Sequence, residues 1–150
     1  MIKIREALLA DAPSIVDFQI AMAKETEGLD LESLILVEGV AKVFLDPSKG
    51  KYFVAEKNGK IIGCLLTTFE WSDWRNGIVL WIQSVYVNPD QRGKGIYSQL
   101  YAYIKEQVKN DSHMKGIRLY VDKSNTAAQK VYEHLHMDGN HYKVYEWMKD

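Results

Sequence analysis

The feature that most limits the fold of this sequence is an abrupt change from apolar strand to helix near the middle of the chain. The stretch "IVLWIQSVYV", residues 78–87, is apolar at nearly every position, as a strand covered on both faces of a sheet should be. After Asn88-Pro89 comes Gly93-Lys94-Gly95, and the residues that follow have the apolar spacing of a helix. Such a segment indicates a layered structure in which helices cover a sheet.

Sequence patterns in the rest of the chain alternate between strand and helix. Strand-like alternation of apolar and polar residues occurs in "IKIREA", in "IRLYVD" and in the closing "HYKVYEWM". Asn58-Gly59, between two β-rich runs, is typical of the type I′ turn of a hairpin. Apolar residues at helical spacing also occur after Asp11, over residues 31–44 and after Ser124-Asn125. The order β, α, α, β-meander, α, β, α, β predicts one mixed α/β layer structure.

Composition and charge argue against several classes of protein. The 150 residues suffice for one domain with a core, and we expect a single domain over residues 1–150. Nineteen basic residues against twenty acidic ones give a net charge of −1, which argues against nucleic-acid binding. The single Cys64 excludes an internal disulfide and suits a reducing cytosol. No stretch is apolar enough for a signal sequence or a membrane span, so we expect a soluble, cytoplasmic protein without a membrane partner.

The segment Arg92–Tyr97 has the features of an anion-binding site. The first-turn N–H groups of a helix have no partners within the helix, and the helix dipole makes that end partly positive. Gly93 and Gly95 lack a Cβ, so a phosphate oxygen can approach those N–H groups closely. Arg92 and Lys94 can add charge-assisted contacts. From these residues alone, the segment is either an anion site or only a tight connection.

Two common phosphate-binding loops do not fit these residues. A P-loop requires Ser or Thr directly after its Gly-Lys pair, whereas Lys94 is followed by Gly95. A dinucleotide-binding fingerprint requires a third glycine, and Ser98 stands at that position. A general phosphate- or nucleotide-binding α/β protein is still an alternative function at this point.

Two stretches of the sequence together resemble the GNAT superfamily of N-acetyltransferases. They are "VYVNPDQRGKGIYSQL" and, further along the chain, "LYVDKSNTAAQKVYEHL", which carry the patterns R-G-x-G-[ILV] and N-x-x-A-x-x-x-Y. The resemblance covers essentially the whole chain, from "IKIREA" to "YKVYEWM". It implies an α/β (α+β) fold with a mixed, mostly antiparallel twisted sheet flanked by helices, in which a central pair of strands splays apart.

The resemblance also implies an activity. An enzyme of this type transfers an acetyl group from acetyl-CoA directly to an amine of a small molecule, a peptide or a protein, without a covalent enzyme intermediate. A non-catalytic protein of the same fold that binds coenzyme A or acyl-CoA is the alternative. Dimers are common in the family, and the sequence leaves open whether this chain is a homodimer.

The resemblance further implies which residues bind acetyl-CoA. Val85 and Val87 would bond the pantetheine arm, and the turn after them would hold the pyrophosphate. Tyr132 would lie beside the sulfur as the catalytic residue, because a positioned phenol can protonate a leaving thiolate whose ordinary pKa is about 8.5. The implied acetyl-CoA contacts are Val85, Tyr86, Val87, Arg92, Gly93, Lys94, Gly95, Ile96, Tyr97, Asn125 and Ala128.

The sequence departs from the family pattern at two places. Tyr97 stands where the family usually has Gly or Ala, and its ring can reshape the adenosine end of the site. His136-Met137 stands where Gly-Phe or Gly-Met is common after the Tyr132 helix, so the turn there is expected to differ.

The sequence does not identify the acceptor or the general base. An amine must lose a proton to react, because its ordinary pKa is about 10. The candidates for the base, or for a residue that holds a relaying water, are Glu27, Glu70, Asp73, Gln83 and Ser84. Each is better explained as a surface or strand polar residue than as the base. If the carboxylates face the pocket, they favour a cationic acceptor. Trp71 and Trp74 either wall an acceptor pocket or pack against the sheet.

The histidines and the cysteine have simpler interpretations. His134, His136 and His141 straddle a helix end and lack matching carboxylates or cysteines, so we predict no metal site. Acetyl transfer of this kind requires none. Cys64 falls in an apolar stretch and is interpreted as a core residue and not as a nucleophile.

Overall fold

The computed structural model describes residues 1–149, and these residues divide into two compact units. The first unit ends at Arg118, and the second begins at Leu119. The helices and strands of the first unit are β1 (Ile2–Glu6), α1 (Ala12–Glu27), α2 (Ser33–Leu45), β2 (Lys51–Lys57), β3 (Lys60–Ser72), β4 (Gly77–Val87), α3 (Ile96–Asn110) and β5 (Met114–Arg118). Short 3-10 helices occur at Leu9–Asp11 and Pro89–Gln91, and the second unit contains α4 (Thr126–His134).

A five-stranded sheet organises the first unit. The strands lie in the order β1-β2-β3-β4-β5, where β1 to β4 are antiparallel to their neighbours and β5 joins β4 in parallel. The predicted mixed, mostly antiparallel sheet is therefore confirmed. The β2–β3 hairpin turns at Asn58-Gly59, whose φ angles of 51° and 76° are both positive, as a type I′ turn requires.

Helices cover the sheet on both faces. Successive side chains of a strand point to opposite faces. Val54 packs in one apolar cluster with Ile15 of α1 and Val40 of α2, whereas the ring of Phe53 lies 5.8 Å from that of Tyr103 on α3. The central strands therefore bury both faces, which explains the nearly continuous apolar sequence of β4.

The inner face of α3 yields a prediction about stability. Leu100 is fully buried, so Leu100→Ala leaves a cavity and should lower the free energy of unfolding by about 2–5 kcal/mol, measured by urea denaturation. Leu34 of α2 is 76% exposed, so the matched control Leu34→Ala should change it by no more than about 0.5 kcal/mol. Equal losses in the two variants would contradict this description of the core.

Two predicted strands differ from the structure. The stretch "IRLYVD" was expected as a strand over residues 117–122, but β5 covers Met114–Arg118. The closing stretch "HYKVYEWM" forms no strand, and its Tyr142 and Trp147 side chains are 70% and 86% exposed. The alternation of apolar and polar residues is typical of a strand, but a strand also requires a hydrogen-bonded neighbour. None of the described strands pairs with this stretch. Within residues 1–149, no helix has the length and apolar character needed to cross a bilayer.

Candidate active site

The connection from β4 to α3 forms the predicted anion-binding turn. Gly93 and Gly95 both have a φ of 76°, in the left-handed region that favours glycine. Gly95 is the N-cap residue of α3 and has no side chain with which to cap the helix. A Cβ added at either glycine would meet nothing within 4 Å, so the turn is open on the side of each glycine where a side chain would stand. The turn therefore presents uncapped, partly positive N–H groups to an anion.

Tyr97 lies in the first turn of α3, where the family usually has a small residue. Its ring stacks on that of Tyr101 one turn later, with 6.4 Å between the centroids. This i, i+4 contact directs the ring along the helix. The larger side chain is thereby accommodated within α3, while the backbone of the turn keeps its glycine conformation.

Arg92 is held by protein groups. Its guanidinium forms a bidentate ion pair with Glu25 of α1, and its Nε donates to the Val87 carbonyl at 2.9 Å. The guanidinium also lies over the ring of Tyr86, 5.1 Å from the centroid, and the Tyr86 hydroxyl donates to Glu25 at 3.1 Å. The hydrogen bond from Arg92 holds the pKa of Glu25 below its ordinary value. In this cluster the Arg92 side chain already has protein partners, and its contact with a phosphate stays a prediction.

The end of β4 extends beyond its parallel partner. The β4–β5 register ends at Trp81 and Arg118, whereas β4 continues to Val87. Within residues 1–118, the last part of β4 is therefore paired with β3 alone. An extended ligand can add to such a strand edge through backbone hydrogen bonds. The Tyr86 side chain is only 7% exposed, so a ligand there would meet backbone at this residue.

A β-bulge interrupts β4 within this stretch. The pairing with β3 shifts between Cys64 and Leu66, and on β4 Ser84 has a positive φ of 54°. A residue with a Cβ rarely adopts this conformation, and bulges of this type redirect neighbouring backbone groups. The Ser84 carbonyl accepts a hydrogen bond from Gln19 of α1 at 3.3 Å. Sequence patterns gave no sign of Gln19, because its partner is 65 residues away.

Glu70, a candidate for the general base, is already paired on both carboxylate oxygens. One carboxylate oxygen accepts from the Trp81 indole N–H at 2.8 Å, and the other pairs with Arg118 at 2.6 Å. These hydrogen bonds, that from Trp81 first, lower the pKa of Glu70. A carboxylate with a lowered pKa is a weaker proton acceptor. On the adjacent part of the sheet, the Thr68 hydroxyl donates to the side-chain oxygen of Gln83 at 3.1 Å.

The remaining acceptor-side candidates are exposed. Trp71 and Trp74 are 64% and 90% exposed, so neither packs against the sheet. Asp73 accepts a hydrogen bond from the Trp74 N–H within the β3–β4 turn, at 2.9 Å. Glu27 lies at the exposed C-terminal end of α1. These positions leave the base and the acceptor site unassigned.

In the second unit, the predicted Asn125 motif is a helix cap. The Asn125 side-chain oxygen accepts from the Ala128 N–H at 3.1 Å, which explains the N-x-x-A spacing at the start of α4. Tyr132 lies half-buried on α4. His136, where the family often has glycine, has a left-handed φ of 64°, and the Met137 N–H bonds the Tyr132 carbonyl at 3.0 Å. Contacts of Asn125, Ala128 and Tyr132 with acetyl-CoA stay predictions.

The titratable side chains outside these sites form no metal centre. Across the described part of the chain, no group of three or more His, Cys, Asp or Glu side chains is arranged to hold an ion. Cys64 is fully buried, and burial raises the pKa of its thiol to about 12, so it is a neutral core residue.

Comparisons with known proteins place this site in a family. The model of the acetyltransferase (GNAT) family matches residues 14–137, which include β4, the glycine turn and α4. A solved structure of a possible acetyltransferase from Clostridium difficile 630 is 45% identical, covers 100% of this chain and 99% of its own, and has a TM-score of 0.92. Among curated proteins, none matches this sequence.

More distant structures share the fold. A predicted acetyltransferase from Clostridium acetobutylicum, solved with acetyl-CoA, is 19% identical over 97% of this chain and 96% of its own, with a TM-score of 0.76. A ribosomal-protein-alanine N-acetyltransferase from Brucella melitensis biovar Abortus 2308 is 17% identical over 100% of both chains, with a TM-score of 0.81. From the family match and the 45% identical structure we conclude that this chain belongs to the GNAT family of acetyltransferases.

Proposed function

We propose that this protein is an acetyl-CoA-dependent N-acetyltransferase that transfers an acetyl group directly to an amine of a small molecule, a peptide or a protein. The observation that carries the proposal is the turn Gly93–Gly95, where two left-handed glycines precede the uncapped N-terminus of α3. The turn lies shortly after the end of β4, whose last part is paired with β3 alone within residues 1–118. A pyrophosphate on the turn and a pantetheine arm along Val85–Val87 would together use both features.

The proposed reaction is a single displacement. The neutral amine nitrogen attacks the acetyl carbonyl carbon, a C–N bond forms, and the oxygen becomes an oxyanion that backbone N–H groups near Val85 stabilise. The C–S bond then breaks, and Tyr132 donates its proton to the leaving thiolate of coenzyme A. A base or a bound water takes the proton that the amine loses. Glu70 is not proposed for this role, because Trp81 and Arg118 lower its pKa.

We also propose the binding partners and the cellular location of this protein. The donor substrate is acetyl-CoA, the acceptor is an amine, and residues 1–150 act as one domain in the cytoplasm. Because Glu70 is already paired with Arg118, Glu27 and Asp73 are the two of the three candidate carboxylates that we propose could favour a cationic acceptor. The proposal names no nucleic-acid, membrane or metal partner.

A panel of acceptors tests the proposed function. The purified protein is incubated with acetyl-CoA and with amino acids, polyamines, aminoglycosides and peptides, and free thiol is measured together with the mass of the acceptor. We expect thiol release coupled to a mass increase of one acetyl group in at least one acceptor. Acetyl-CoA binding without thiol release for every amine would instead favour the non-catalytic coenzyme A-binding protein.

The Arg92 cluster leads to a prediction about substrate binding. Glu25→Gln removes the charge that holds Arg92 over Tyr86, beside the turn, and should raise KM for acetyl-CoA about threefold to tenfold with kcat nearly unchanged. Steady-state kinetics with varied acetyl-CoA measure both constants. Asp17→Asn, an exposed site on the same helix, is the control and should leave both at the wild-type value. A Glu25→Gln variant with the wild-type KM would contradict the prediction.

A further inference from the structure

Gln19 is a polar residue in the apolar interface between α1 and the sheet. Its side chain is only 5% exposed, and its amide nitrogen donates to the Ser84 carbonyl at 3.3 Å. The same nitrogen lies 3.6 Å from the Cys64 sulfur, and that thiol lies 3.9 Å from the Ser84 carbonyl oxygen. Burying a polar side chain is unfavourable unless it is hydrogen-bonded. An apolar side chain would fill this interface without that cost, so the presence of Gln19 suggests a role beyond packing.

The partner of Gln19 is the most unusual backbone group of β4. Ser84 has a left-handed φ of 54° inside the β-bulge, a conformation that is unfavourable for any residue with a Cβ. Such a conformation persists only where surrounding groups hold it. Gln19 bonds the carbonyl of this very residue, and the neutral Cys64 thiol is the second group beside it. Gln19 is therefore in a position to hold the bulge.

Planarity of the peptide carries the effect of Gln19 to the next residue. The Ser84 carbonyl and the Val85 N–H belong to one trans peptide unit, so they point in opposite directions. A group that fixes the direction of the carbonyl also fixes the direction of that N–H. Val85 is the residue beside which the proposed reaction requires a donor to the oxyanion.

We propose that Gln19 is a positioning residue for acetyl transfer, which holds the Ser84 carbonyl and thereby aims the Val85 N–H at the developing oxyanion. This inference rests on the proposed acetyltransferase function. Gln19 does not touch the substrate in this account. Its loss should therefore lower the rate of the chemical step and leave the binding of acetyl-CoA largely intact.

The first test separates kcat from KM. Gln19→Leu removes the donor at similar size, and we expect kcat to fall about tenfold with KM for acetyl-CoA nearly unchanged. Gln19→Met, which also lacks the donor and has a flexible side chain of similar length, should lower kcat in the same way and serves if the leucine variant does not fold. Ile15→Val, a mild change at a fully buried site on the same helix, controls for loosened packing and should keep kcat.

The second test is a double-mutant cycle with Ser84→Gly. Glycine adopts the left-handed conformation without strain, so the bulge should depend less on Gln19 in that background. We expect Gln19→Leu to lower kcat about tenfold in the wild type but only about twofold in the Ser84→Gly protein. A merely structural role would give the same loss in both backgrounds.

The outcomes distinguish this inference from the function on which it rests. A reduced kcat for Gln19→Leu that is rescued by Ser84→Gly supports it. Equal losses in both backgrounds, or an unchanged kcat, overturn the role of Gln19 while the wild-type activity stands. A wild-type protein without turnover on any amine overturns the proposed function itself, and the catalytic role of Gln19 with it.

Discussion

Tyr132→Phe is expected to lower kcat by about 100-fold or more while leaving the Kd for acetyl-CoA nearly unchanged. The substitution removes one hydroxyl and keeps the ring, so packing on α4 should be preserved. The lost proton donor affects only the step in which the thiolate of coenzyme A leaves. Thiol-release kinetics measure kcat, and calorimetric titration measures Kd on the same preparation.

The control for this substitution is Tyr145→Phe. Tyr145 is 89% exposed in the second unit, so loss of its hydroxyl should change neither constant. A Tyr132→Phe enzyme with the wild-type kcat would remove Tyr132 from the mechanism.

Gly95→Val is expected to weaken acetyl-CoA binding by about 100-fold. Gly95 has a φ of 76°, and a β-branched residue is strained in that conformation by about 1–2 kcal/mol. The new side chain would also enter the open side of the turn, where the pyrophosphate is proposed to lie. The strain lowers stability, whereas the bulk of the side chain obstructs the donor substrate, and calorimetry measures the loss of affinity directly.

Gly59→Val is the matched control for strain. Gly59 has the same φ of 76° and the same open surroundings, but it lies in the β2–β3 hairpin turn. Its substitution should lower thermal stability about as much as Gly95→Val, because the backbone strain is the same. It should leave the affinity for acetyl-CoA at the wild-type level. Equal affinities of the two variants would show that the glycine turn before α3 is not the binding site.

Local patterns predicted most of the fold. The apolar run of β4, the Asn58-Gly59 turn and the helix after Gly95 each depend on neighbouring residues, and the structure confirms all three. The closing stretch "HYKVYEWM" was predicted wrongly as a strand, because alternation does not reveal whether a pairing partner exists. The helix after Ser124-Asn125 was also predicted from local spacing, and the structure shows α4 at Thr126–His134 with Asn125 as its N-cap.

The candidate site was less predictable than the fold, because its polar contacts join distant parts of the sequence. Gln19 meets Ser84 across 65 residues, and Glu25 meets Arg92 across 67. The pairing of Glu70 with Arg118 similarly spans 48 residues and changes Glu70 from a candidate base into a paired carboxylate. Because these groups meet only in the tertiary structure, no local sequence motif could have predicted their hydrogen bonds.

Titration of the wild-type protein with acetyl-CoA and with ATP tests the central claim most directly. If the glycine turn and the edge of β4 together form an acetyl-CoA site, calorimetry should give one binding site per chain for acetyl-CoA. ATP should bind at least about tenfold more weakly, because it lacks the pantetheine arm that would pair with β4. Equal affinity for the two ligands would indicate a general phosphate site, and absence of acetyl-CoA binding would show that the turn and strand edge form no such site; either result would contradict this account.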